Sequence, residues 1–318
     1  MADASLRVKI AVGMGVVYVI WGSTYLAIRY AVATLPPLSM AGVRFLIAGA
    51  FLYLWAARRG APRPGVRQWW AAAVAGFLLL LVGNGLVVWA EQRVDSGLAA
   101  LLVSTTPMFM VLLPWLGRRE ARPRPAVIGG ILLGFVGVGL LVQPNGAGGV
   151  DVAGAVVLTL ASLGWALGSL YSRRAALPSS PLMATGIEML AGGALMLAAG
   201  AALGEPARFH LAQVSRASLV GFLYLIAAAV VAFTAYLWLL RAAPPALVST
   251  YSYVNPLVAV LLGWAIAGEP LTGRTLVAAL VIVASVALIT LAKGRKPLPE
   301  RAAPAELPRL ELRPSRNP

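Results

Sequence analysis

Apolar residues gather into ten long runs, at roughly residues 10–33, 38–57, 68–90, 97–116, 124–143, 152–172, 181–203, 217–240, 246–267 and 275–292, separated by Gly, Pro and Arg. Each run is close to the roughly 20 residues a helix needs to cross the hydrocarbon core of a bilayer. The pattern predicts an all-α integral membrane protein with ten transmembrane helices and short loops. The first run is too long for a cleaved secretion signal, continues through Arg29 and is followed at once by another run. Residues 293–318, rich in Pro, Arg and Glu, predict a disordered tail.

Composition narrows the function classes. The chain is 60% hydrophobic and 12% charged, against roughly 25% charged for a soluble domain, and its mean hydropathy is +0.83. Ten crossings leave no room for a sizeable soluble catalytic domain. The absence of cysteine removes disulfide scaffolds, thiolate catalysis and zinc–thiolate or iron–sulfur sites. The net charge of +15 would suggest nucleic acid in a soluble protein, but its distribution points elsewhere. With the N-terminus inside, 20 of the 26 Lys and Arg residues fall in inside loops or tails. The other six are Arg29, Arg44, Arg93, Arg208, Arg216 and Arg274. That bias is the positive-inside signal of membrane topology, and it places both termini in the cytoplasm.

The chain also matches itself. A shift of 144 residues superposes Trp21 on Trp165, Arg29 on Arg173, Pro37-Leu38 on Pro181-Leu182 and Gly49-Ala50 on Gly193-Ala194. A shift of 149 superposes Trp89 on Trp238, Pro107 on Pro256, Trp115 on Trp264 and Glu120 on Glu269. The expected organisation is a cytoplasmic segment 1–9, a five-helix repeat 10–143, a second repeat 152–292 and the cytoplasmic tail 293–318. Because five is odd, the second repeat enters the membrane inverted. Such a 5+5 inverted-topology repeat is a recurrent architecture of secondary transporters, which bind substrate near the midplane between the repeats.

Several strings carry a family resemblance: WGSTYLAIRY at 21–30, PPLSMAGVRF at 36–45, VGNGLVVWAEQ at 82–92 and SGLAALLVSTTP at 96–107. The second half adds GWALGSLYSRRAALP at 164–178, ATGIEMLAGG at 184–193 and PALVSTYSYVNPLVAVLLGW from 245. Together they resemble the EamA family of the drug/metabolite transporter superfamily, over about residues 10–292. The resemblance implies a 5+5 inverted fold, a central solute cavity, a bacterial inner-membrane location and outward movement of amino acids, other small metabolites or drugs.

Polar residues inside a bilayer are costly and usually face a cavity or another helix. Trp21, Ser23, Thr24 and Tyr25 in the first run are candidates for substrate contact; alternatively the two hydroxyls bond back to their own helix. Asn84, between two glycines, can donate and accept, which suits an amino-acid headgroup or a helix–helix contact. Ser104 and Thr105 precede Pro107, and Tyr251, Tyr253 and Asn255 surround its mate Pro256, so both prolines are candidate kinks or gates facing one another across the pseudo-twofold. Trp165 and Ser169 complete the substrate set. Trp89 and Trp238 read as stacking partners or as interfacial anchors.

Two intramembrane ions stand out. Arg44 and Glu188 lie seven residues beyond the matched Pro37 and Pro181, about 10 Å into their helices at 1.5 Å per residue. Either they pair with each other, or Arg44 binds a carboxylate and Glu188 carries a coupling proton. Glu91, Asp95, Glu120 and Glu269 sit at run ends, and the mated Glu120 and Glu269 predict a structural turn.

No phosphate-binding Gly-x-x-x-x-Gly-Lys-Ser/Thr motif occurs and His210 is the single histidine, which argues against ATP-driven pumping, a multi-histidine metal site and intramembrane proteolysis. The chain reads as a secondary transporter with no cofactor or metal and no enzymatic activity. Its expected partners are a small-molecule substrate and the lipid bilayer, with no nucleic acid, as a monomer or weak homodimer. A gated pore or facilitator, or a drug or sugar-derivative carrier of the same fold, is the alternative.

Overall fold

The structure is a computed structural model that describes residues 2–117, 122–142 and 150–294. Glu120 and the stretch 295–318, for which the sequence predicts a turn and a disordered tail, lie outside the described residues. The helices are α1 (Ala2–Val32), α2 (Pro37–Arg58), α3 (Val66–Gly76), α4 (Leu86–Ala90), α5 (Ser96–Val103), α6 (Thr106–Leu116), α7 (Pro125–Leu141), α8 (Val152–Ser172) and α9 (Pro181–Ala202). They continue as α10 (Glu205–Arg208), α11 (Arg216–Ala242), α12 (Pro245–Val248), α13 (Tyr251–Ala267) and α14 (Gly273–Gly294). Among the described residues eight segments are long and apolar enough to cross a membrane, and Pro125–Leu141 and Tyr251–Ala267 are shorter apolar helices. Large apolar side chains such as Phe51, Leu132, Phe135, Leu280 and Leu291 stand on the outer surface, the arrangement expected of a chain solvated by lipid.

Three of the expected helices are interrupted. Between α3 and α4 the backbone widens into a π-helix, Phe77–Gly85. Gly83 fits this turn because a Cβ there would lie tightly, at 3.2 Å, against the Leu78 carbonyl five residues earlier, whereas one on Gly85 would make ordinary contact with the Leu80 carbonyl at 3.5 Å. Between α5 and α6 the hydroxyls of Ser104, Thr105 and Thr106 donate to the carbonyls of Leu101, Leu102 and Val103, each at 2.7 Å. Pro107 has no N–H for the Val103 carbonyl, and Thr106 supplies the missing donor. Pro107 thus sits in the first turn of α6, where a missing N–H costs nothing, and the expected kink is a helix restart. In the second half the interruption precedes Tyr251, and Pro256 lies inside α13. The mated prolines therefore have unlike surroundings.

Helices pack through glycines that admit a neighbouring backbone. A Cβ on Gly42 would lie 2.8 Å from the Gly193 carbonyl, and one on Gly49 would lie 2.9 Å from that of Gly186. As numbers rise along α2 they fall along α9, so the two helices are antiparallel. Gly130 against Ile289 and Gly137 against Ile282 make α7 and α14 antiparallel in the same way. Further pairings join α1 to α11 and α13, and α8 to the π-helix, α5 and α6.

Overpacking a tight interface costs about 1–3 kcal/mol. Gly42→Val is therefore expected to lower the thermal unfolding midpoint in detergent, whereas Gly129→Ala, with nothing within 4 Å of its added Cβ, is expected not to lower it.

Candidate functional site

A cavity of about 750 Å³ lies at the centre of the bundle, lined by α1, α2, the π-helix, α4, α5, α6, α8, α11, α12, α13 and α14. Each long helix offers one stripe at the 3.6-residue period. From α1 come Trp21, Thr24, Tyr25 and Ile28; from the π-helix and α4 come Leu80, Gly83, Asn84 and Val87; from α8 come Ala161, Trp165, Ser169 and Arg173. Helix α11 contributes Leu225, Ala228, Ala229, Phe233, Tyr236 and Leu240, and α13 contributes Tyr251, Ser252, Asn255 and Pro256. Ser104, Thr106 and Pro107 add to the wall from the α5–α6 junction.

Of the expected substrate-contacting residues, Trp21, Thr24, Tyr25, Asn84, Ser104, Trp165, Ser169, Tyr251 and Asn255 line this cavity, as do Arg44 and both prolines. Ser23, Thr105 and Tyr253 do not. Ser23 is two residues, about 200° of helix rotation, from Trp21, and it bonds to its own helix at Val19 and to Tyr224 of α11. Thr105 is buried beside Ser162 of α8, and Tyr253 turns off the α13 stripe. Thr24 also donates to its own helix, at the Trp21 carbonyl. Trp89 and Trp238 stand on the exposed surface.

Arg44 and Glu188 are held by different partners. Arg44 Nη2 donates to Asn84 Oδ1 at 2.7 Å, and its guanidinium lies 4.4 Å from the Phe45 ring centroid. Glu188 accepts from Ser172 Oγ at 3.0 Å, outside the cavity lining. Their shared repeat position places them in equivalent helices, but each meets the neighbour its own side of the bundle supplies.

The sequence reading missed the aromatic cluster. Trp21 packs on Phe233 (5.5 Å), Tyr236 (5.1 Å) and Tyr251 (4.9 Å), and Tyr236 packs on Tyr251 (5.7 Å). The signal was available: Leu225, Ala229, Phe233, Tyr236 and Leu240 recur at helical spacing in a run otherwise read only for its length. Arg173, read as a loop charge, follows Trp165 and Ser169 at four-residue steps and reaches the cavity rim.

The two ends of the cavity differ. Near Arg173, Leu240 and Ser249 its lining extends to the Arg-rich side of the bundle. Arg29, one residue beyond the lining residue Ile28 and itself outside the lining, donates to both Asp95 and Glu269. Glu269 is buried and also accepts from Ser96 N (2.9 Å), Ser96 Oγ (2.6 Å) and Gly97 N (3.0 Å), so it caps α5. Glu205 repeats the device on α2, accepting from Leu38 N (3.0 Å), Ser39 N (2.7 Å) and Ser39 Oγ (2.6 Å). Among the described residues no group of three or more His, Cys, Asp and Glu side chains is placed to hold a metal.

An apolar helical bundle with a solute-sized internal cavity defines the class of helical membrane proteins that handle small molecules. The chain belongs to the EamA-like transporter family, whose profile matches residues 9–143 and again 152–291. It is 42% identical over 288 residues to the inner membrane transporter YedA of Escherichia coli (strain K12), covering 90% of this chain and 92% of that one. It is 30% identical to Protein PecM of Dickeya dadantii, covering 88% of this chain and 93% of the relative. A solved protein crystal structure superposes with a TM-score of 0.61 at 22% identity, over 90% of this chain and 99% of the other.

Removing Glu269 strands two backbone donors of α5, at about 1–3 kcal/mol for the unsatisfied groups. Asp95 is partly exposed and its pairing is worth about 0–1 kcal/mol. Glu269→Ala is therefore expected to lower the unfolding midpoint clearly more than Asp95→Ala does.

Proposed function

We propose that the chain is a secondary carrier of the bacterial inner membrane that exports amino acids or similar small metabolites by alternating access. It crosses the membrane ten times as a 5+5 inverted repeat, with repeats 10–143 and 152–292 and both termini in the cytoplasm. The antiparallel packing of repeat-mated α2 with α9 and α7 with α14 supports the inversion, as does the doubled family match. Two expected spans, 124–143 and 246–267, contain helices of 17 residues each, the first packed along α14 and the second preceded by the short α12.

The observation that carries the reading is the cavity itself. It places one buried cation, Arg44, with its amide partner Asn84, against an aromatic wall of Trp21, Phe233, Tyr236 and Tyr251. A carboxylate or other anionic group matches Arg44 in charge and fork geometry, and an apolar or aromatic side chain matches the wall. The volume suits a ligand of amino-acid size. The mated arginines support alternating access: Arg29 is pinned by two carboxylates at one end while Arg173 lines the rim at the other. With the Arg-rich side in the cytoplasm, this conformation is open inward and closed outward.

A carrier is expected to show saturable counterflow of labelled solute in proteoliposomes across a panel of amino acids. Arg44→Gln is expected to reduce it by about tenfold or more, the loss of a charge-assisted hydrogen bond worth about 1.5–3 kcal/mol. Linear, unsaturable flux identifies a pore, and no response to any amino acid removes the substrate assignment.

The outer closure is tested by labelling. The chain has no cysteine, so Ser104→Cys provides a single thiol inside the cavity for an impermeant maleimide added from the periplasmic side. Adding Glu269→Gln weakens the pairing with Arg29, and each 1.4 kcal/mol lost from the closure raises the open population about tenfold. Labelling is expected to accelerate accordingly; an unchanged rate contradicts the closure.

A further inference from the structure

The carboxylate of Glu91 is buried, 3% exposed; no side chain hydrogen-bonds to either oxygen, and the Arg29 backbone is the one main-chain group that acts on it. It caps the C-terminal end of α4, directly beyond the π-helix that carries Asn84. The charged and titratable groups that act on it are Arg44 from α2, Arg29 and Tyr25 from α1, and Glu269 from beyond α13. Most of these are already committed. Arg29 is bonded to Asp95 and Glu269, and Glu269 holds the first turn of α5 as well.

Arg44 is the exception. One guanidinium nitrogen reaches Asn84, while its Nε is buried with no partner. A donor without an acceptor and an acceptor without a side-chain donor therefore stand on neighbouring elements with opposite charge. Burying either alone costs several kcal/mol, and pairing them offsets part of both penalties.

We propose that Glu91 is an internal stand-in for the substrate's anionic group, pairing with Arg44 while the carrier crosses between its two states empty and yielding Arg44 to the substrate when the cavity is filled. This rests on the carrier reading above. The loaded carrier moves with Arg44 neutralised by the substrate; the empty carrier moves with Arg44 neutralised by Glu91. The π-helix offers the adjustment this requires, since a π-to-α change within Phe77–Gly85 alters the register of Glu91 against α2, and such turns recur at functional sites. Glu91 is a positioning residue, acting through Arg44 rather than on the solute.

The two halves of the cycle separate experimentally. Exchange uses only the loaded crossing, whereas net efflux also needs the empty return. In proteoliposomes, with labelled phenylalanine as first probe and the rest of the amino-acid panel behind it, Glu91→Gln is expected to preserve counterflow within about a factor of two. Net efflux is expected to fall about tenfold or more, a barrier increase of about 1.4 kcal/mol. Glu91→Asp, which keeps the charge, is expected to recover part of the net efflux. Retained counterflow also certifies that the variant is folded. A parallel loss of both rates in Glu91→Gln, or no loss of either, overturns the role of Glu91 and leaves the carrier reading standing. Absence of counterflow in the unsubstituted chain overturns the carrier reading and this role with it.

Discussion

A helix that starts in apolar surroundings has backbone N–H groups with no partner, and this protein answers that constraint with buried glutamates from distant parts of the chain. Glu205 satisfies the first turn of α2 and Glu269 that of α5. Both reach across more than 160 residues, so each tie joins one half of the chain to the other. Because Glu269 also takes Arg29, the cap of α5 and the tie of α1 to the segment after α13 are the same interaction. Breaking the Glu269 contacts would expose the N–H groups of Ser96 and Gly97 together, so the tie is all-or-none rather than gradual.

The cavity is the complement of these ties. Where helices meet through glycine their backbones approach to van der Waals contact, as at Gly42, Gly49 and Gly193. The void lies where the inward stripes present Trp21, Trp165 and Phe233. The interrupted segments border the same void: the π-helix at Asn84, the restart at Ser104–Thr106 and the break before Tyr251. Irregular backbone is tolerated at membrane depth where it lines a cavity or is satisfied by nearby hydroxyls, and each of these segments meets one or both conditions.

The fold was legible because hydropathy and charge bias depend on composition averaged over 20 residues. The ten runs correspond to the observed helical segments within a few residues, except that α1 begins eight residues early, through Arg7 and Lys9. The site was legible where polar residues are rare in an apolar run, as with Arg44, Asn84 and Asn255. It was illegible where the lining residue is ordinary for a membrane helix, as with Phe233 and Tyr236, and where facing direction decides, as with Ser23 and Tyr253. The partner of a buried ion was also hidden. Arg44 and Glu188 share a repeat position, yet repeat position specifies a place in the fold and not the side chain across the gap.

That distinction explains how a symmetric fold builds an asymmetric site. Under the 149-residue shift the lining positions map onto one another: Asn84 onto Phe233, Val87 onto Tyr236, Val103 onto Ser252, Thr106 onto Asn255 and Pro107 onto Pro256. The register of the wall is shared between the halves, but the chemistry is not. The first half supplies Arg44 and Asn84, and Glu91 behind them; the second supplies the rings of Phe233, Tyr236 and Tyr251. The unequal division of charge and aromatic surface gives the void a cationic side and an aromatic side that a symmetric lining would not have. The repeat therefore accounts for the shared register of the wall, and the departures from it account for its unequal chemistry.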